Sequence, residues 1–183
     1  STQIYLVDRP GSPQSQIRVG RLGITRKDQP GYFVSRIVSN YFGWSFNCRL
    51  NASIRIKKGL TYSVWGSYIA QNLGGRIEVN TFSKTESTAE TVQAVLEEIN
   101  RLKNEPPSDE ELADSQSYIA GSFVRNRETP QQVAKDLWLI ESQGLEKNYL
   151  DELLAKVATT TKEDCTKLID KTIDANLSIE EEG

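Results

Sequence analysis

Residues 62–81 read YSVWGSYIAQNLGGRIEVNT, and this stretch decides the class of fold. Residues 62–69 are rich in aromatic and β-branched side chains, which favour strands. Residues 72–75, Asn-Leu-Gly-Gly, form a turn signal, and Ile77, Val79 and Thr81 then alternate with polar residues. The stretch therefore predicts an antiparallel β-hairpin.

Helical patterns dominate the chain after this hairpin. Three helix-start signals place a hydroxyl residue three positions before a carboxylate or amide, as Ser87 with Glu90, Ser108 with Glu111, and Thr129 with Gln132. The first of these helices carries an apolar stripe at helical spacing, formed by Val92, Val95, Leu96, Ile99 and Leu102. We expect five helices here, the third ending at Gly144, and then a short strand around Leu177.

The part before the hairpin contains apolar patterns of two strands, at residues 4–7 and 16–24, and of two helices, at 29–42 and 47–58. Gly43 and Gly59 are suited to end these helices. The order of elements predicts an α+β fold, a two-layer sandwich in which helices cover one face of a mixed, mainly antiparallel sheet. Because the 183 residues contain no internal repeat or linker, we expect a single domain, residues 1–183.

Composition and charge exclude several classes of partner. A net charge of -3 leaves no basic footprint for nucleic acid, and no apolar run approaches the ~20 residues of a membrane-spanning helix. The sequence opens at Ser1 without a Met, so the chain is either a processed product or a segment of a longer polypeptide, and we expect a segment. We further expect a soluble protein of the bacterial cytoplasm or periplasm. Cys48 and Cys165 lie far apart, which predicts two buried thiols.

The most restrictive feature of the composition is that the chain contains 0 His. Zinc hydrolases, Ser-His-Asp hydrolases and Cys-His proteases all use an imidazole, either as a metal ligand or as a base. The chain alone is therefore not expected to run these mechanisms or to bind a metal.

Polar groups gather where the second helix turns into the hairpin. Arg55 falls in the last helical turn and Tyr62 at the start of the strand, on either side of the reversal at Gly59. Together they offer five guanidinium donors and one phenol donor, which can bind peptide carbonyls or a developing oxyanion. A purely structural interpretation is that Arg55 serves the helix dipole or an ion pair and that Tyr62 packs in the core. The two interpretations stay open on position alone.

The sequence resembles the second, zinc-free domain of the insulinase, pitrilysin and mitochondrial-processing-peptidase family. The resemblance rests on residues 40–43 (NYFG), 48–51 (CRLN), 54–55 (IR) and 58–62 (KGLTY). Residues 7–15 and the pair of segments 121–123 and 128–130 agree with it, so it spans essentially the whole chain. The chain departs from the family pattern at its acidic end, residues 178–183, and at the bulky Trp44.

The resemblance implies a function shared between two domains. In the family the catalytic domain carries an inverted His-x-x-Glu-His zinc motif, and the companion domain supplies an Arg and a Tyr, matched here by Arg55 and Tyr62. These residues are implied to bind substrate and to support catalysis at a partner's zinc site. The chain is then one part of a zinc metalloendopeptidase: inactive alone, with no cofactor of its own, zinc in the partner, and a peptide as substrate.

Two other functions remain open. The chain could be a structural member, comparable to the core subunits of respiratory complexes, with no proteolytic role. It could also be an independent peptide-binding domain that adds an extended strand to an exposed sheet edge.

Overall fold

The computed structural model describes residues 3–173 and the backbone of residues 178–182. Five strands and six α-helices lie in these ranges. The strands are β1 (Gln3–Val7), β2 (Gln14–Leu22), β3 (Val64–Ala70), β4 (Gly75–Lys84) and β5 (Ser178–Glu182). The helices are α1 (Gly31–Ser39), α2 (Thr88–Asn104), α3 (Asp109–Arg125), α4 (Pro130–Gln143), α5 (Tyr149–Thr159) and α6 (Lys162–Thr172).

The strands form one sheet in the order β1-β5-β2-β4-β3. β1 and β5 are parallel and the other pairs antiparallel. The predicted hairpin is β3 and β4, with Val64 opposite Thr81. Ser15, Ile17 and Val19 on one face of β2 are buried, whereas the alternate residues are exposed, as expected when helices cover one face. The predicted α+β fold is confirmed.

The acidic end of the chain takes part in the sheet. The backbone of β5 pairs on one side with β1 and on the other with β2, so this strand is interior by its hydrogen bonding. The last strand was expected around Leu177, which lies outside the described residues; the described strand begins one residue later, at Ser178.

The core lies between the sheet and the helices. α2 packs on β2 and β4, while α1 packs on β3 and on α3, α5 and α6. The largest fully buried side chains of the core include Phe33, Phe42, Ile17, Ile37, Leu50 and Ile54. Each such side chain contributes roughly 1.5–3 kcal/mol through removal from water. Cys48 and Cys165 are buried free thiols, as predicted.

Two helices expected from sequence are partly π-helical, which the apolar spacing did not predict. The first π segment, Asn40–Trp44, continues α1, and the second π segment, Asn51–Lys57, replaces most of the helix expected at 47–58. In each, a backbone N–H reaches five residues back, as from Ser45 to the Asn40 carbonyl. The extra residue per turn shifts the side chains that follow it around the helix axis.

Gly43 does not end the first helix as expected, because it lies within the first π segment. A Cβ atom at this position would collide with the backbone of Gly66 in β3. The glycine is therefore required by the close approach of helix and strand. Gly59 does act as predicted, with a φ of 65° that reverses the chain after the second π segment.

All three expected helix starts are confirmed, and two of them carry the expected capping box. Ser108 with Glu111 and Thr129 with Gln132 form reciprocal capping boxes. Ser87 directly precedes α2, as expected, but it forms no side-chain cap. A 3-10 turn, Thr85–Ser87, leads into the helix and holds Ser87 out of the extended conformation that such a cap needs. Gly144 ends α4 in the left-handed conformation, as predicted.

Candidate functional site

Local chain geometry brings Arg55 and Tyr62 to the same rim of the sheet. Ile54 is fully buried and anchors the second π segment, so the neighbouring Arg55 is left at the surface. Gly59 then reverses the chain, and Tyr62 precedes the first residue of β3 by two positions. The sequence placed Tyr62 in the strand, but it belongs to the loop that leads into it.

Arg55 lies between two aromatic rings. The centre of its guanidinium group is 5.6 Å from the ring centroid of Phe46 and 5.6 Å from that of Tyr62. Both contacts fall within the range of cation–π interactions, which contribute about 0.5–1 kcal/mol at exposed sites. In the described part of the chain the guanidinium makes no hydrogen bond or ion pair. All five of its N–H donors are therefore available to a ligand.

Tyr62 is one of the most exposed aromatic side chains of the described residues, at 80%. The structural interpretation of a strand tyrosine packed in the core is therefore wrong here. A large aromatic group held in water gains nothing for the fold, while its hydroxyl remains free to donate to a ligand. The structure thus brings the two predicted site residues together, with Tyr62 exposed and Arg55 half-buried.

Phe46 is the member of this cluster that the sequence did not reveal. Its side chain is 69% exposed, but its backbone is fixed, because the buried Asn51 amide donates to the Phe46 carbonyl at 2.6 Å. Asn51 belongs to the motif at 48–51 noted above. Its position just before that motif is the sequence signal by which Phe46 could have been identified as part of the site. The cation–π cluster is hereafter Arg55, Phe46 and Tyr62.

A second arginine holds the base of this site in place. Arg49 donates two hydrogen bonds of 2.7 Å to Glu111 and one each to the carbonyls of Glu105 and Pro106. Burial lowers the pKa of Arg49, but the bonds and charge of Glu111 outweigh burial and hold it above the ordinary value. Burial raises the pKa of Glu111, and Arg49 outweighs this, so its pKa lies below the ordinary value. The two groups stay ionised and tie the second π segment to α3.

Lys58 is already paired. Its ammonium group lies 2.9 Å from the Glu97 carboxylate of α2, and this hydrogen bond raises the pKa of Lys58 and lowers that of Glu97. The ammonium group is therefore engaged within the fold and not left for a substrate. Lys57 remains exposed.

An open cleft lies next to Tyr62, with a volume of about 320 Å³. Residues 59–62 form one wall, and the end of β4, including Phe82 and Lys84, forms another. The volume falls in the range of roughly 300–1,000 Å³ that is usual for small-ligand clefts. The Tyr62 side chain therefore borders space that a substrate group can enter.

The edge of the sheet next to the site is partly occupied. β3 is an edge strand, but the N–H of Tyr68 already donates to the Ser39 hydroxyl at 3.0 Å. Gly43 also packs against the backbone of Gly66 in the same strand. An added peptide strand would have to displace these contacts.

Groups able to hold a metal do not come together in the described residues. No three His, Cys, Asp or Glu side chains lie close enough there to bind an ion. Burial raises the pKa of the Cys165 thiol to about 12 and also raises that of Cys48, so both thiols stay protonated at neutral pH. The described residues do not fit zinc. None of the described helices is both long enough and apolar enough to cross a membrane.

Comparison with known proteins identifies one family. A family model described as the peptidase M16 inactive domain matches residues 1–119, more than half of the chain. A peptidase M16 inactive domain from Pseudomonas fluorescens superimposes with a TM-score of 0.90 at 25% identity, over 100% of this chain and 43% of that one. No relative was found among the curated proteins.

Two further structures have the same fold. A protease from Helicobacter pylori gives a TM-score of 0.88 at 14% identity, over 100% of this chain and 44% of that one. A chain of complex III from Candida albicans gives a TM-score of 0.77 at 16% identity, over 100% of this chain and 45% of that one. The chain thus spans less than half the length of each of these three matched structures.

Proposed function

The chain belongs to the peptidase M16 inactive domains, the zinc-free C-terminal domains of the insulinase family, and from this we propose that it completes the active site of a zinc-bearing partner. In this proposal residues 1–183 are a single domain that binds peptide substrate and supports its hydrolysis. The partner domain or subunit carries the zinc and the His-x-x-Glu-His motif. The whole would be a zinc metalloendopeptidase, and this chain alone would be inactive.

The observation that carries the proposal is the free guanidinium of Arg55 between the rings of Phe46 and Tyr62. A structural arginine is normally bonded within its own protein, as Arg49 is. Arg55 instead keeps its N–H groups unbonded within the described residues and its orientation restricted by two ring faces. Such preorganised donors are what a peptide carbonyl or an oxyanion requires.

The roles proposed for the two groups differ. Arg55 would hold the backbone of the substrate near the scissile bond, since its planar fork can bond two acceptors at once. Tyr62 would donate its phenol proton in a hydrogen bond to the oxygen on which negative charge develops. Zinc would supply Lewis-acid chemistry from the partner, because the described residues of this chain hold no group of ligands for it.

A complementation experiment tests the proposal. The purified chain should cleave no peptide, and it should restore cleavage to a separately purified His-x-x-Glu-His domain of the same enzyme. Tyr62→Phe should restore at least about ten-fold less activity, the loss of one hydrogen bond in the transition state. Tyr5→Phe, a change at an exposed tyrosine of β1, serves as the matched control. Zinc binding with unaided peptide cleavage by the chain alone would end the proposal.

A second function is favoured by one observation. The complex III chain from Candida albicans shares this fold, and α4 has no buried residue and exposes Val133, Leu137 and Trp138. Apolar side chains exposed on one helix are typical of interaction surfaces. The alternative proposal is a structural assembly subunit with no proteolytic role. A stable complex whose activity is unaffected by changes at Arg55 and Tyr62 would favour it.

A further inference from the structure

A second cleft, which shares no residue with the cation–π cluster, borders the first π segment. Its volume is about 390 Å³, and its walls are α1 with the first π segment, the second half of β3, and the second half of α3. The volume falls in the range of roughly 300–1,000 Å³ that is usual for small-ligand clefts. This cleft is hereafter the α1–β3 cleft.

The charge of the α1–β3 cleft is one-sided. Arg26 and Arg36 line it, whereas no Asp or Glu is among the described residues of its walls. Arg26 is fixed in the wall, because it donates to the hydroxyls of Tyr32 and Tyr149 at 3.1 and 3.3 Å. Arg36 is exposed and makes no ion pair or hydrogen bond through its side chain within the described residues. A protein of net charge -3 thus keeps an unopposed positive charge at this place.

Two largely buried polar side chains line the cleft without a hydrogen bond to any described residue. Asn40 is 5% exposed and Ser67 is 6% exposed, and both line the cleft. Neither side chain makes a hydrogen bond within the described part of the chain. The polar atoms of both side chains keep access to solvent in the cleft, so a ligand that enters it can bond them in place of water. An amide and a hydroxyl facing a cleft are the groups that bond the backbone of a bound peptide.

The remaining lining is aromatic. Trp44 and Tyr118 are exposed at the mouth of the cleft, while Tyr32 and Tyr68 are buried in its walls. Such walls suit an apolar side chain and not a bare phosphate, which prefers a fully polar surrounding. The bulky Trp44, noted above as a departure from the family pattern, contributes directly to this surface.

We propose that the α1–β3 cleft binds the carboxyl end of a peptide whose last side chain is apolar. The carboxylate pairs with Arg36 and Arg26, the terminal amide unit bonds Asn40 and Ser67, and the last side chain packs between Trp44 and the tyrosines. A free aromatic amino acid carries the same carboxylate and apolar groups. The site goes beyond the proposed function and does not depend on it, because the two sites have no residue in common.

The experiment is a titration of the full 183-residue chain followed by NMR. The probes are acetyl-Gly-Leu-Phe with a free carboxylate, the same peptide as its C-terminal amide, N-acetyl-phenylalanine, and inorganic phosphate. The free-acid peptide should move the side-chain amide signals of Asn40 and the indole signal of Trp44 in a saturable way. The amide should bind about ten-fold more weakly, the loss expected for one charge-assisted hydrogen bond.

Variants locate the interaction. Arg36→Gln should weaken binding of the free-acid peptide about ten-fold, and Arg9→Gln, at an exposed arginine of the β1–β2 loop, should leave it unchanged. Tighter binding of the peptide than of N-acetyl-phenylalanine supports the peptide as ligand. Equal binding of acid and amide, equal binding of phosphate, or no saturable change with the free-acid peptide would overturn the proposal. Loss of activity at Arg55 or Tyr62 would not alter any of these outcomes.

Discussion

Arg49 and Arg55 come from one short stretch of chain, yet their surroundings are opposite. Arg49 is buried, at 6% exposure, and its guanidinium is bonded to Glu111 and to two backbone carbonyls. Arg55 is half-buried, and its guanidinium faces the rings of Phe46 and Tyr62 without a hydrogen bond or ion pair to any described residue. The guanidinium donors of Arg49 are bonded within the fold, whereas those of Arg55 are left for a ligand.

This difference separates a structural arginine from a functional candidate. The stability of the protein depends on the pairing of Arg49, because an unpaired buried charge is costly. The fold gains little from Arg55, since exposed cation–π contacts contribute about 0.5–1 kcal/mol. A residue that adds little to the fold, and whose donors are unbonded within the described residues, is available for recognition.

The largest expected effect is on stability, from a change at Arg49. Arg49→Leu leaves Glu111 and two carbonyls without their donors, so we expect a loss of about 3 kcal/mol in the free energy of unfolding. Arg55→Leu, the matched change, should lower that free energy by no more than about 1–2 kcal/mol, the value of its two exposed ring contacts. Urea unfolding monitored by circular dichroism measures both. Equal losses of unfolding free energy in the two variants would contradict the proposed difference between Arg49 and Arg55.

The pH dependence of stability should reveal the same ion pair. The pKa of Glu111 is lower in the folded chain, so its stabilising contribution is fully present above the ordinary value of about 4.3. That contribution is lost as the pH falls through the lowered pKa. The stability difference between wild type and Glu111→Gln should therefore narrow below about pH 4.3.

A suitable control for the pH experiment is Glu97, whose pKa is also lowered, by Lys58, but at an exposed site. Because solvent screens exposed pairs, Glu97→Gln should change stability little at any pH. A difference at Glu111 that stays constant with pH would show that its charge contributes nothing to the fold.

A smaller effect is expected at Phe46, which orients Arg55 without bearing donors for a substrate. Phe46→Leu removes one of two ring contacts, worth about 0.5–1 kcal/mol, so the kcat of the complete enzyme should fall roughly two- to five-fold. The free energy of unfolding should fall by no more than about 1 kcal/mol, the value of that one exposed contact. Restoration of kcat by Phe46→Tyr would identify the ring itself as the cause. An unchanged kcat in Phe46→Leu would remove Phe46 from the site.

Local sequence signals predicted most of the fold. The hairpin, the helix stripes and the turns at Gly59 and Gly144 depend on propensity and periodicity within a few residues, and they were confirmed. The capping box of Thr161 and Asp164 was missed, because the pattern sought Glu or Gln at the third position, although Asp bonds there equally.

Long-range packing was beyond the reach of these signals. The two π segments depend on close contact of Gly43 with Gly66 and on burial of Leu50 and Ile54, contacts that periodicity does not encode. The place of β5 between β1 and β2 is likewise set by pairing across the whole chain. Acidic composition gave no hint of it.

The candidate site was partly predictable. Arg55 and Tyr62 were identified from motif resemblance, and the structure adds their shared contact and the third ring of Phe46. The partner of Arg49 could not be inferred, because Glu111 lies 62 positions away and its capping pattern already explained it. The sequence identifies side chains that can donate hydrogen bonds, but only the folded structure shows which of these donors are bonded within the protein.

The most direct test of Arg55 as a substrate-binding group is the kcat/KM of Arg55→Gln in complex with its zinc-bearing partner, measured together with the variant's free energy of unfolding. We expect kcat/KM to fall by at least about ten-fold while the free energy of unfolding falls by no more than about 1–2 kcal/mol, so that the variant remains folded. A wild-type kcat/KM, or a loss that matches a loss of stability, would contradict the proposed role of this side chain.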